Sequence, residues 1–483
     1  MTNGETNRDV QPARGCGSRG VPRVAHHGAS TLQRVGSRRD PHRLLRRNAR
    51  ARWPSSLQVR DRSMVRNDGG ARSCVPYRRG PKETRRGRRT HLRAGLHHQR
   101  GSHRGRDARR VVIGLDELIA APALSAHEGA LQARLVGVLG PVMDDVRVDP
   151  LGNVIAKRKG TSGSGRAVLV TAHMDQIGFL VRDVTSTGFA RVHPVGWVDA
   201  RYYVAQRCRV GRADGGWSSG VLMAYDRPPH GRAPGDMGRA FQPSDLFIQP
   251  LEGAEAARFE IGAPVVLEDR AHLEGDLVVG GPLDDRVGIW CILRALERVP
   301  EGPDDLILAF TVQEEVGLRG ASVVAHDTHV DAVLAVDVAG AHDVPDAEPR
   351  ASTLALGGGV GLKVMDNRSI SDPALLRGVE RLARAAGIAH QRHVEPAGGT
   401  DAAALQVTGP GHRVLTISIP TRYLHTPTEV IARADLEACA ALLTHALTTP
   451  VASLLVADAP ATHDAPSTHT SSSRNDFTGK GTR

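Results

Sequence analysis

Residues 280–317 read GGPLDDRVGIWCILRALERVPEGPDDLILAFTVQEEVG, and the reading of the whole chain turns on this stretch. Asp284 and Asp285 close a glycine–proline loop and open a helix. Glu314 and Glu315 follow the apolar run 306–312, which has the length of a buried strand. Carboxylates at element ends, joined by one helix, suit a divalent metal site. Some oxygens hold the cations and a spare carboxylate moves a proton. Each pair taken singly also suits a solvated loop end.

The flanking sequence adds to this pattern. Residues 167–172, AVLVTA, form a continuous apolar run that fits a strand buried on both faces. His173 and Asp175 follow it, two apart on an extended segment, and so point the same way. An aspartate bonded to one imidazole nitrogen leaves the other free for a metal. Residues 332–337, AVLAVD, repeat the pattern and end in Asp337. The run 414–419, VLTISI, leads through Pro420–Leu424 to His425. Gly398-Gly399-Thr400-Asp401 suits either the lining of a ligand site or the start of a helix.

Strands alternating with helices give an α/β fold: a central, mostly parallel mixed sheet with helices on both faces. Ligands in such sheets bind at the carboxyl ends of the strands. Five donors therefore fall on one rim: His173, Asp284, Glu315, Asp337 and His425. Two imidazoles with three carboxylates suit a pair of Zn, Co or Mn ions, rather than calcium or a thiolate zinc site.

Residues 111–143 carry helical apolar spacing, interrupted near Pro122. Residues 146–156 read as a hairpin around Pro150 and Leu151. Between 178 and 267, short β-like runs at 189–192, 207–210, 219–223 and 264–267 are broken by Gly, Pro and Asp. The loop 226–243 is long and polar. This segment reads as a small all-β domain inserted into the main one. Asp372, Pro373 and Gly387 punctuate a helix over 372–387. Leu436, Cys439, Ala440, Leu443 and Leu447 mark a last amphipathic helix. The expected organisation is thus an extension over 1–110, a main domain split into 111–177 and 268–455, the insertion over 178–267, and a tail over 456–483.

The net charge of +11 is unevenly distributed. Residues 1–110 hold 29 of the 63 basic and 7 of the 52 acidic residues, or +22, so the remainder carries −11. The basic balance therefore says nothing about the partners of the main domain. The extension lacks apolar periodicity and is expected to be disordered, or to lie upstream of the true start. Its arginines could neutralise phosphates, but only Trp53 and Tyr77 could stack on bases, so nucleic acid is not the expected partner. The five cysteines form no CxxC pair and suit a reducing, cytoplasmic compartment. No apolar run has the length of a membrane span or a signal peptide.

From about 111 to 452 the chain resembles metallopeptidase family 42, the TET-type or glutamyl aminopeptidases, also labelled endoglucanase-like. The resemblance rests on Thr171–Phe179, Leu283–Gly288, Val312–Gly317, Val336–Val338, Pro420–His425 and the Asp149–Asn153 turn. It implies a two-metal aminopeptidase acting on short peptides. Asp284 would bridge the ions, with His173 and Asp337 completing one and Glu315 and His425 the other. Glu314 would be the general base and Asp175 would orient His173. The insertion would mediate dimers that assemble into a dodecamer. Family members often carry a histidine near the position of Gln406, which this chain lacks. A related two-metal carboxypeptidase or N-acyl deacetylase would share the same metal logic.

Overall fold

The computed structural model describes residues 113–225, 241–252, 259–268, 271–347 and 354–456. The expectations for the N-terminal extension, the C-terminal tail and most of the loop 226–243 lie outside the described residues.

The chain opens with two short helices, α1 (Leu115–Ala120) and α2 (Gly129–Leu139), then the antiparallel hairpin β1 (Asp145–Val148) and β2 (Val154–Arg158). Strand β3 (Ala167–His173) leads into six strands: β4 (Gly178–Val184), β5 (Ala190–Val195), β6 (Arg207–Gly211), β7 (Trp217–Ala224), β8 (Leu246–Pro250) and β9 (Pro264–Leu267). These close into an antiparallel barrel in the order β4-β5-β8-β7-β6-β9, with the single-turn helix α3 (Ala200–Tyr203) between β5 and β6. Phe179, Val192, Val210, Leu222, Ile248 and Val265 fill its own core, separate from that of the main domain.

The chain then returns through β10 (His272–Glu274) and β11 (Leu277–Gly280) to α4 (Arg286–Arg298), β12 (Asp305–Thr311), α5 (Arg319–His326) and β13 (Ala332–Gly340). It ends with β14 (Val360–Met365), α6 (Pro373–Ala385), β15 (His390–Val394), α7 (Asp401–Val407), β16 (Val414–Arg422), β17 (Glu429–Ala432), α8 (Arg433–Thr448) and α9 (Val451–Leu454). The main sheet is mixed and runs β1-β2-β12-β3-β13-β16-β17-β11-β10, with β14 and β15 branching from β16. Parallel ladders join β12, β3, β13 and β16 at its centre. The flanks pair antiparallel.

The central strands read as unbroken apolar runs because both of their faces are covered. In β12, Leu306, Leu308 and Phe310 enter the larger core with helices α1, α2, α4, α6 and α8. Ile307 and Ala309 enter the core on the opposite face, beneath α5 and α7. The same alternation splits β13, with Leu334 and Val336 on one side and Val333 and Ala335 on the other. Helix α4 begins where Asp285 accepts from the Gly288 amide, at 3.0 Å. Asp372 caps α6 by accepting from the amides of Ala374 and Leu375, and Gly387 ends it in the left-handed region.

Candidate metal centre

Parallel pairing of β12, β3, β13 and β16 brings their carboxyl ends onto one rim, and His173 stands level with Thr311 across the β3–β12 ladder. Asp284 arrives from the loop before α4. Its Oδ1 lies 2.9 Å from His173 Nε2 and its Oδ2 lies 3.2 Å from His425 Nε2. Each imidazole therefore faces a different oxygen of one carboxylate. Asp337 Oδ1 is 3.8 Å from His173 Nε2, and Glu315 Oε2 is 3.5 Å from His425 Nε2. All five donors picked out in the sequence meet here, with Glu314 lining the same cavity. That cavity holds about 1020 Å³.

Asp175 lies fully buried behind the donors. Its carboxylate accepts from Ser125 Oγ at 2.6 Å, the Glu314 amide at 2.9 Å and the Glu315 amide at 3.2 Å. It thereby ties the segment after α1 to the loop after β12. His173 Nδ1 faces the Asp175 backbone carbonyl at 3.2 Å and its carboxylate Oδ1 at 3.5 Å. Both contacts leave Nε2 turned toward Asp284 and Asp337.

Three further acidic groups hold the rim together: Asp285 and Asp401, which the sequence already marked, and Glu429, which it did not. Glu429 accepts from the amides of Leu283 at 2.7 Å, Asp284 at 3.2 Å and His425 at 3.1 Å. One carboxylate thus fixes two loops that are distant in sequence; its only mark is an acidic residue opening the apolar run 429–432. Asp401, at the first turn of α7, accepts from the hydroxyls of Thr311 and Thr171. Asp285 accepts from the His173 amide at 3.3 Å and from Gly288. Its carboxylate oxygens also come close enough to His173 and Asp337 to complete a second three-donor group. Because both oxygens already serve backbone amides, Asp284 is the better donor of the two.

The electrostatics follow from crowding acids in a dry space. Burial and neighbouring carboxylates push Glu315 up to about 8 and Asp337 up to about 7. Glu314 is driven well above the carboxylate range by burial together with Asp337, Glu315 and Asp401. Burial works against the His425 cation, but Glu315 and Asp284 outweigh it and hold this group at about 10. Such a cluster calls for positive charge, and a divalent cation supplies it while favouring ionised carboxylates and neutral imidazoles. Glu315 Oε1 is buried and accepts from no donor among the described residues, as suits an atom reserved for a cation. The donor set of imidazole and carboxylate, without thiolate, fits a divalent ion of the zinc, cobalt or manganese kind.

The barrel reaches this rim directly. Tyr203 donates to the His425 carbonyl at 3.4 Å. A side chain at Gly196 would meet Ile177 at 2.5 Å and the Glu315 Cβ at 3.5 Å, so the glycine allows the barrel to close against the donor loop.

A mixed α/β sheet with an inserted barrel and an acidic, histidine-bearing rim defines a metal-dependent hydrolase. The profile of the family described as M42 glutamyl aminopeptidase matches residues 152–442. A putative aminopeptidase of Acetivibrio thermocellus is 32% identical over 329 residues, covering 67% of this chain and 94% of the relative. The lysyl aminopeptidase of Pyrococcus furiosus is 31% identical, covering 67% and 92%. The solved TET1 peptidase of Pyrococcus horikoshii, described as assembling into a tetrahedron or a large octahedral shell, superposes with a TM-score of 0.62 at 28% identity, covering 70% and 98%. The chain belongs to the M42 aminopeptidase family and is a metal-dependent peptide hydrolase acting at N-termini. No helix among the described residues is long and apolar enough to cross a membrane.

Proposed function

We propose that this chain removes N-terminal residues from short peptides with two divalent cations held between its imidazoles and carboxylates. The observation that carries this is the placement of Asp284, one oxygen toward each histidine. His173 and Asp337 would serve one ion, Glu315 and His425 the other, and Asp284 both. When bound, the ions supply Lewis acidity that acidifies a water and polarises the scissile carbonyl. Glu314 is the group free to move the proton: it lines the cavity beside the donors, and burial holds its proton affinity high. It takes a proton from the attacking water and returns it to the leaving amine. Asp175 keeps the loop carrying Glu314 and Glu315 in place through the two backbone amides.

The TET1 likeness supports an oligomer, and we infer that the barrel supplies the dimer contact from which a dodecamer grows. The test of the catalytic reading is an aminoacyl-chromophore assay on stripped protein re-supplied with Zn, Co or Mn. Turnover returning with metal, and lost again with chelator, is the expected result. Full turnover in the stripped state would contradict it.

A further inference from the structure

We infer that a second cavity, beside the metal cavity, binds the part of the peptide that follows the scissile bond, and that its two tyrosines favour an aromatic side chain there. This rests on the aminopeptidase reading and concerns the far side of the same substrate. An enzyme that removes one residue holds that residue on one side of the metals and the rest of the peptide on the other. The second cavity holds about 730 Å³, within the range of about 300–1,000 Å³ usual for ligand pockets. It shares Glu395, Leu424 and His425 with the metal cavity, so the two spaces meet at a proposed metal ligand.

The topology sets the spacing. Strand β13 carries Asp337 and ends at Gly340, three residues or about 10 Å farther along, and Gly340 lines the second cavity. An extended peptide cut at the metals advances by the same rise per residue, so its next two or three residues fall beside this wall. The tyrosines stand on opposite elements. Helix α3 buries Tyr203, which donates to the His425 carbonyl at 3.4 Å, and leaves its neighbour Tyr202 49% exposed at the cavity. Across from it, Tyr423 is 53% exposed. Tyr423 and His425 both lie in the left-handed region, at φ 60°, where non-glycine residues are strained. The Thr426 amide donates to the Tyr423 carbonyl at 3.2 Å, and Glu429 accepts from the His425 amide at 3.1 Å, which together hold this bend. The bend places the His425 ring among the metal donors and Tyr423 in the second cavity. Of the five tyrosines in the chain, two thus stand exposed at one space, next to Leu424 and Val344. Such a wall offers apolar ring faces to a side chain leaving water.

Two peptides with the same first residue, Leu-Phe-Gly-Gly and Leu-Gly-Gly-Gly, test this on the metal-loaded full chain, with release of leucine as the readout. The expected kcat/KM is about tenfold higher for the phenylalanyl peptide, from the transfer of a phenyl ring out of water. Tyr202→Ala and Tyr423→Ala each lower this ratio, the double variant brings it close to one, and Tyr423→Phe keeps it, because the ring face and not the hydroxyl makes the contact. A wild-type ratio near one, or a ratio that neither alanine variant moves, overturns the subsite. So does a Tyr202→Ala chain that keeps the ratio but changes its assembled mass by light scattering, which assigns the cavity to a second copy of this chain. Equal release of leucine from both peptides leaves the aminopeptidase reading standing, whereas no release from either removes both.

Discussion

Glu314 and Glu315 are adjacent, and the proposed function gives them different tasks. Both line the cavity, and Glu315 Oε2 sits 3.5 Å from His425 Nε2. Glu314→Gln is therefore expected to lower kcat by at least about 10²-fold, the usual contribution of a general base, while metal content by elemental analysis stays at the wild-type level. The acid cluster also sets a pH dependence in the metal-stripped protein. Burial raises Glu315 to about 8, and Asp337 and Glu429 to about 7. A group with a raised folded pKa lends stability below its unfolded pKa and loses it as pH climbs through the folded value. His425, held at about 10, acts in the same direction. Asp284 is lowered and acts oppositely, but below this window. The melting temperature of stripped protein should thus fall from pH 5 to pH 8 relative to metal-loaded protein, and differential scanning fluorimetry across that range checks it. A gap that narrows with rising pH would contradict this.

At the level of elements, the site depends on loops being locked to strand ends. Asn153, fully buried in the turn before β2, donates to Asp149 at 2.6 Å and to the Gly320 carbonyl at 3.1 Å, and accepts from the Val312 amide at 3.0 Å. Asn153→Ala should destabilise the fold by roughly 1–3 kcal/mol by leaving buried backbone groups unpaired, seen as a lower urea midpoint. The strands that carry His173 and Asp337, and the strand that leads to His425, were legible because double-sided burial makes them unbroken apolar runs. Four of the barrel strands were legible as short runs between turn residues. The flank formed by β1 and β2 was legible as a hairpin, but the opposite flank was not. β14 follows three glycines, β10 and β11 are three and four residues long, and β17 is four. Strands this short carry too few residues for a period to register. Nor does spacing reveal a tertiary clamp such as Glu429, whose three amide partners lie on loops that only the finished topology brings together. Lys363 was hidden for a related reason: a lysine reads as surface until the fold encloses it with Asp366 and Glu395.

On the scale of the whole molecule, the inserted barrel has its own core and touches the catalytic rim through Gly196 and Tyr203. An interface built on the barrel would thus bear on the donor loops. Light scattering of the purified full chain is expected to give a mass several times that of one chain, consistent with dimers built into a larger shell. A monomer at micromolar concentration would contradict the assembly. The central claim is that residues from distant parts of the chain form one cradle for a pair of ions, and metal stoichiometry tests it most directly. Titration of stripped protein with Zn, followed by elemental analysis after desalting, should give about two ions per chain for the wild type, and fewer than one for Asp284→Asn, whose carboxylate faces both histidines. A wild type that retains one ion or none, or an Asp284→Asn variant that keeps both, would contradict it.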